Sequence, residues 1–213
     1  MTVDNKDIVI TSAVRTAIGT FRGSLKDMQA KDLGALVTKA ATKKSNLNST
    51  DVDELIMGQV LTSATGQNPA RQAAIQAGIP IEKTAYVINQ VCGSGLRAVA
   101  AGYQAIMSND SKVIIAGGQE SMTNAPQAIH FDKGKTLDES NLIDTMIKDG
   151  LWDAFNGYHM GITAENVAAK WQITRKDQDN FALSSQLKAE KAQKDEKFKN
   201  EIIPAILNGK NKL

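Results

Sequence analysis

Short apolar runs alternate with amphipathic segments along the first 120 residues of the chain. Four runs rich in β-branched residues predict strands at residues 8–12, 55–61, 85–91 and 113–116. Three segments with apolar residues at helical spacing predict helices at residues 33–40, 69–77 and 96–107. Pro69 and Gly78 are start and stop signals for the second helix. This alternation is typical of βαβ units, so we predict an α/β protein with a mostly parallel sheet.

The third predicted helix, at residues 96–107, is apolar on nearly all sides. Its clearly polar side chains are Arg97 and Gln104, while Ala98 and Gly102 are small enough for neighbours to approach closely. A helix that is apolar all round is buried all round. We therefore expect layers of structure to cover this helix on two sides.

Residues 122–213 follow a different pattern, and we predict a mainly helical segment attached to the α/β unit. The polar stretch at residues 132–141 predicts an exposed loop, whereas residues 164–171 return to helical spacing. Thr174 and Asp177, three residues apart, resemble a capping box that begins a further helix.

Composition and charge exclude several classes of protein. The 213 residues are 42% hydrophobic and include only 4 Pro, which excludes collagen-like and disordered chains. The 25 Lys and Arg nearly balance the 23 Asp and Glu, so the chain lacks the charge of a nucleic-acid-binding protein. It has neither a run of about 18 apolar residues nor the start of a signal peptide. We expect a cytoplasmic protein that binds neither nucleic acid nor membrane.

The single cysteine, Cys92, lies where the third predicted strand meets the third predicted helix. One cysteine excludes an internal disulfide and a paired-cysteine metal or redox site. Unpaired N–H groups and the helix dipole at such a junction favour the thiolate, which is the nucleophilic form. Gly93 and Gly95 permit a tight turn and leave space beside the sulfur. We predict Cys92 as a catalytic nucleophile; a buried structural cysteine is the alternative.

Other motifs around this turn predict different chemistry, and none is complete. Residues 93–98 match the dinucleotide pattern GxGxxG/A, with Glu120 as a candidate ribose-binding acid, but two βα units precede them. Ser94 fails the GxSxG pattern, because Cys92 and Leu96 occupy its glycine positions. Two His and one Cys without a cluster of ligands predict no metal site.

Three segments together resemble the thiolase family, specifically its biosynthetic acetyl-CoA acetyltransferases. They are Asn-Gln-Val-Cys-Gly-Ser-Gly-Leu-Arg at 89–97, Ala-Gly-Gly-Gln-Glu-Ser-Met at 116–122, and residues 149–165. The segments 11–19 and 66–72 fit the same family, so the resemblance extends over essentially the whole chain. It implies a thiolase-like layered fold. Residues 1–121 would be the N-terminal α/β half without its last strand, and 122–213 a loop domain truncated at its C-terminal end.

The resemblance also implies roles for particular residues and partners. Cys92 would accept the acyl group from acyl-CoA and form an acyl-enzyme. His159 and Met160 would line the acyl and pantetheine end of the pocket, and Leu151 would lie near the CoA chain. Coenzyme A enters as a thioester substrate, so no cofactor is expected. The expected partners are acyl-CoA and either further copies, in a dimer or tetramer, or a complementary C-terminal thiolase chain.

Thiolases are nearly twice this long, and three catalytic groups of their second half are not found here. The family uses a Gly-His-Pro histidine to activate the nucleophile, a Cys-x-Gly-x-Gly cysteine as general acid and base, and an Asn at an oxyanion site. In this sequence Cys92 is the only Cys, and His130 and His159 lie in other contexts. Condensing two thioesters requires proton removal and stabilisation of an enolate, which a thiolate alone does not supply.

We therefore expect the N-terminal part of an acetyl-CoA C-acetyltransferase, which joins two acetyl-CoA into acetoacetyl-CoA and CoA. On its own the chain is expected to be inactive. Two alternatives stay open at this point: a non-catalytic remnant that binds CoA or a partner, and one half of a split thiolase.

Overall fold

The computed structural model describes residues 7–130, 138–207 and 210–212. Its helices are α1 (Ala30–Lys44), α2 (Pro69–Gln76), α3 (Ser94–Met107), α4 (Met160–Lys170) and α5 (Arg175–Lys194). Its strands are β1 (Glu54–Gly58), β2 (Thr84–Ile88), β3 (Ile114–Gly118), β4 (Gln127–Ala128), β5 (Ile143–Asp144), β6 (Ala205–Leu207) and β7 (Lys210–Lys212). The element types predicted for residues 33–40, 55–61, 69–77, 85–91, 96–107 and 113–116 are confirmed.

Strands β1, β2 and β3 form a parallel sheet with β1 in the centre, in the order β2-β1-β3. Glu54 at the start of β1 pairs with Thr84 of β2 and with Ile114 of β3. The predicted parallel sheet is confirmed. Because parallel strands point the same way, their carboxyl ends meet at one edge, beside the start of α3.

Helices cover both faces of this sheet. Leu55 and Met57 of β1 belong to a core cluster with side chains of α1 and α2. Ile56 points to the opposite face, because side chains alternate along a strand, and it is also fully buried. On that face α3 approaches β3 closely, since a Cβ at Gly102 would lie 3.1 Å from Ile114. The chain is therefore a layered α/β structure, as predicted.

The outer face of α3 has no cover within the described chain. Leu96 is 78% exposed, and Val99, Tyr103 and Met107 are also exposed, whereas the buried residues of the helix are Ser94, Ala98 and Gly102. The expectation that layers cover α3 on two sides is therefore not met by this chain alone.

The predicted first strand, at residues 8–12, is wrong. In the described chain these residues have no regular structure, and Val9 and Ile10 are exposed. A strand requires a hydrogen-bonding neighbour, but a groove of about 670 Å³ lies between residues 8–16 and β3. Among the residues that the structure describes, the backbone of this segment pairs only at Arg15, whose N–H donates to the Glu201 carbonyl (2.8 Å).

Residues 122–212 are helical only in their central part. Helices α4 and α5 are present, and the capping box of Thr174 and Asp177 at the start of α5 is confirmed. The other described residues of this region form turns, a π-helical segment and the short antiparallel pairs β4-β5 and β6-β7. Of the loop predicted at residues 132–141, residues 132–137 lie outside the described part, and residues 138–141 are exposed. Among the helices described, none is long and apolar enough to cross a bilayer.

Candidate active site

The N-terminus of α3 rests directly on the ends of two strands. Gly58 ends β1 and Gly118 ends β3. A Cβ at Gly58 would lie 2.5 Å from the amide nitrogen of Gly95, which is well inside van der Waals contact. A Cβ at Gly118 would lie 3.4 Å from the Gly95 Cα. Glycine therefore allows the helix to start at the carboxyl edge of the sheet, where α/β proteins bind their ligands.

The turn that carries Cys92 contains a residue in an unfavourable backbone conformation. Val91 has a φ of +48°, in the left-handed region that β-branched residues rarely adopt. Such a residue costs about 1–3 kcal/mol and persists only where its surroundings hold it. The Val91 N–H donates to Asn89 Oδ1 (2.9 Å), and the Val91 carbonyl accepts from the Ser94 hydroxyl (2.6 Å). The turn is therefore held by side chains on both sides of the valine.

Cys92 lies at the exposed end of this turn, two residues before the first residue of α3. Cys92 is exposed in this chain, whereas the alternative of a structural cysteine requires a buried thiol. Within the described ranges, no hydrogen bond joins the thiol to either histidine. The accessible thiol beside a helix N-terminus fits the predicted nucleophile.

His159 and Leu151 are brought together by a short hairpin. Leu151 ends a π-helical turn (Met146–Leu151), and the next residue, Trp152, forms an antiparallel bridge with His159. Gly150 lies close to Leu61, because a Cβ there would be 3.7 Å from the leucine side chain. Since Leu61 follows β1 by three residues, this hairpin stands near the edge where α3 begins.

His159 is the N-cap of α4, and Met160 is its first residue. The His159 Nδ1 accepts a hydrogen bond from the Gly161 N–H (3.0 Å). An accepting Nδ1 carries no proton, so the neutral ring has its proton on Nε2 and presents a donor there. Both side chains are exposed. Three of the predicted site residues, Leu151, His159 and Met160, thus lie at the ends of one short hairpin.

Glu120 does not have the role that the dinucleotide pattern would require. Its Oε2 accepts hydrogen bonds from the Val60 N–H (2.8 Å) and the Leu61 N–H (3.2 Å). Burial raises the pKa of this carboxyl, and the backbone hydrogen bonds oppose the rise. The carboxylate therefore joins the end of β3 to the loop after β1. In the described chain no group of His, Cys, Asp and Glu is arranged to hold a metal ion.

We expect the Glu120→Gln variant to have a flatter dependence of the unfolding free energy on pH. Because the folded-state pKa of Glu120 is raised, its contribution is full below the unfolded value of about 4.5 and is lost as the pH rises through the folded value. Gln keeps a carbonyl acceptor for the backbone and cannot ionise. Urea unfolding across this window is the measurement, with the exposed Glu82→Gln as control. Identical pH curves for the wild type and the Glu120 variant would contradict the burial argument.

We expect Cys92 to be alkylated faster than a cysteine in an unfolded peptide. The N-terminal dipole of α3 favours the thiolate, so a rate about 3- to 10-fold higher at neutral pH is expected. Brief treatment with dilute iodoacetamide and mass spectrometry measure one site, because the chain has a single Cys. A rate no higher than that of the peptide would argue against an activated thiol.

Comparison with known proteins places this geometry in a family. Residues 8–213 match the family model described as "Thiolase, N-terminal domain". The acetyl-CoA acetyltransferase of Rhizobium meliloti is 57% identical over 205 residues, which cover 96% of this chain and 52% of that protein. The acetyl-CoA acetyltransferase of Paracoccus denitrificans is 54% identical over 202 residues, covering 95% of this chain and 52% of that protein.

A solved structure has the same fold. The crystal structure of Acat5 thiolase from Ascaris suum in complex with coenzyme A superposes with a TM-score of 0.87 at 39% identity. The match covers 94% of this chain and 52% of that one, so the chain spans about half the length of the relatives it matches. The layered fold, the match to the family model and the sequence identity agree, and the chain belongs to the thiolase family.

Proposed function

We propose that the chain is the N-terminal part of an acetyl-CoA C-acetyltransferase, which joins two acetyl-CoA into acetoacetyl-CoA and CoA. The observation that carries the proposal is the 57% and 54% identity to two acetyl-CoA acetyltransferases over nearly the whole chain. In this proposal residues 1–121 are the α/β half and residues 122–213 the loop domain. The enzyme acts in the cytoplasm.

Cys92 is the nucleophile of the proposed reaction. Its thiolate attacks the carbonyl carbon of an acyl-CoA; the bond to Sγ forms, the bond to the CoA sulfur breaks, and CoA leaves as a thiolate. The exposure of Cys92 and its place before α3 support this role. A fixed helix N-terminus stabilises negative charge that develops close to it.

Leu151, His159 and Met160 form the part of the proposed pocket that receives the acyl and pantetheine groups. The hairpin that joins them near the edge of the sheet supports this assignment, as does the Nε2 donor that the cap leaves on His159. A thioester carbonyl oxygen is a suitable acceptor for that donor. Coenzyme A is a substrate here, and the proposal requires no metal or further cofactor.

The remaining steps require groups that these residues do not include. Removing a proton beside a thioester carbonyl requires a general base, and the enolate that results requires donors aimed at its oxygen. In the proposal a complementary C-terminal thiolase polypeptide supplies these groups, and the assembled protein forms a dimer or tetramer.

Reconstitution with a second half tests the proposal. The chain is co-expressed with the C-terminal half of the Rhizobium meliloti relative, and CoA-dependent cleavage of acetoacetyl-CoA is measured. We expect activity that Cys92→Ala abolishes and that Ser108→Ala, at the far end of α3, leaves unchanged. An inactive complex, under conditions in which the two halves of the relative reconstitute activity, would favour a non-catalytic remnant that binds a partner.

A further inference from the structure

We propose that Ser94, assisted by Asn89, is a positioning residue: it holds the strained turn at Val91 and thereby fixes the Cys92 thiol at the start of α3. The proposal rests on the function proposed above, in which Cys92 is the nucleophile. It assigns a role to a serine that sequence patterns treat only as an incomplete nucleophile motif. Ser94 acts through the backbone of its neighbours.

The hydroxyl of Ser94 closes the turn from both sides of Val91. It accepts a hydrogen bond from the Gln90 N–H (2.8 Å) and donates one to the Val91 carbonyl (2.6 Å). The Ser94 N–H donates to the same Val91 carbonyl (3.0 Å). One side chain thus links the N–H of the peptide group before Gln90 to the carbonyl of the peptide group after Val91. While both bonds are kept, the backbone of Gln90 and Val91 that lies between them cannot leave its conformation.

Val91 needs these hydrogen bonds to keep its backbone conformation. A β-branched residue at a φ of +48° returns to the extended or right-handed region when nothing prevents it. Asn89 Oδ1 holds the Val91 N–H from the other side (2.9 Å), but Asn89 is exposed and its bond competes with water. Ser94 is only 4% exposed, so its two bonds have no such competition.

Ser94 itself cannot follow a movement of the turn. The end of β1 at Gly58 lies against the Ser94 carbonyl and the Gly95 amide, at distances that exclude even a Cβ. Ser94, which holds the turn, is therefore itself fixed by contact with the central strand of the sheet. Cys92 lies between the strained valine and Ser94, so the geometry of the turn sets how far its Sγ stands from the N–H groups of α3.

Removing the hydroxyl is expected to release the backbone of Gln90 and Val91 and to move the thiol away from the helix N-terminus. The loss of thiolate stabilisation then lowers the alkylation rate where that stabilisation matters, at mildly acidic pH. We expect Ser94→Ala to reduce the iodoacetamide rate of Cys92 about 3- to 10-fold at pH 6.5. At about pH 9.5, where an ordinary thiol with a pKa near 8.5 is mostly ionised, the rates should converge.

The test compares Ser94→Ala with Ser108→Ala at both pH values, by mass spectrometry, on variants whose circular dichroism matches the wild type. Ser108 is a matched control, because its hydroxyl also donates to a backbone carbonyl, that of Ala105, at the other end of α3. We expect no change of rate in the control. An equal loss at both pH values, or none in Ser94→Ala, would overturn the proposal.

A second variant covers the case in which Ser94→Ala does not fold. Asn89→Ala removes the exposed hydrogen bond to the Val91 N–H and is expected to give a smaller loss of the alkylation rate, at pH 6.5 alone. No loss would overturn the proposal.

The two proposals can be rejected independently of each other. Reconstituted activity with unchanged alkylation in the variants rejects the positioning role only. A pH-selective loss of alkylation with no reconstituted activity rejects the proposed function only.

Discussion

A polypeptide of these 213 residues is expected to give no measurable turnover, either of acetoacetyl-CoA with CoA or of two acetyl-CoA. Cys92 supplies a nucleophile, but none of the residues that the structure describes is assigned as the general base or as an enolate-stabilising donor. Each acid–base step typically contributes about 10²- to 10⁴-fold, so two missing steps lower the rate by about 10⁴-fold or more. Thiolysis is measured by the loss of acetoacetyl-CoA absorbance.

The control for this prediction is the complete Rhizobium meliloti relative at equal concentration, which establishes the sensitivity of the assay. A second control is Cys92→Ala, which identifies any background. Robust turnover by the wild-type chain that Cys92→Ala abolishes would contradict the prediction, because it would require a base and an oxyanion site within residues 1–213.

The second large effect concerns the association state of the isolated chain. The outer face of α3 exposes Leu96, Val99, Tyr103 and Met107 to solvent. Leaving about 1,000 Å² of apolar surface uncovered forgoes up to about 25 kcal/mol, an upper bound because unfolded chains are already partly compact. Native domains have only about 5–15 kcal/mol of stability in total. We therefore expect another chain to cover this face, or else a loosely folded or aggregated protein.

Light scattering and thermal unfolding measure this property. Tyr103→Gln, on the uncovered face, should lower the average mass in solution. Phe155→Gln is the matched control, because Phe155 is 98% exposed but belongs to the hairpin between Trp152 and His159 and not to α3. A monodisperse monomer with a sharp thermal transition and no binding of a hydrophobic dye would contradict the prediction.

Local sequence signals predict those elements whose partners lie within the chain. Pro69 begins α2, Gly78 follows it at a φ of +89°, and Thr174 caps α5. The strand expected at residues 8–12 has the right composition, but a strand also depends on a neighbour. Here the groove beside β3 separates it from the nearest sheet edge.

The buried face of α1 shows a second limit of periodicity. The apolar stripe of Leu33, Leu36, Val37 and Ala40 predicts the helix correctly, but the buried positions include Gly34, Ala35 and Thr38. A Cβ at Gly34 would overlap the side-chain oxygen of Gln119. The close approach of the α1 backbone to Gln119 determines which face of the helix is buried. The pattern of apolar residues does not reveal this approach.

At the candidate site, the sequence predicts the reactive residue well. It predicts the residues that hold this residue in place poorly. Cys92 stands out because a strand, two glycines and a helix surround it. The positive φ of Val91 has no sequence signal, since valine is among the residues that most disfavour this conformation. Ser94 and Asn89 acquire their roles only once that conformation is known.

The contact of Gly58 with the start of α3 also determines which inherited changes the site tolerates. All glycine codons begin with the same two bases. A mutation in either of these two bases that still encodes an amino acid therefore replaces Gly58 by a residue with a side chain. Even alanine would place a Cβ against the backbone of residues 94 and 95, and such overpacking costs about 1–3 kcal/mol. Gly58 performs no chemistry, yet substitutions at this position are thus expected to cause loss of function. Gene variants at codon 58 should therefore impair the protein through the position of Cys92 while leaving the cysteine itself intact.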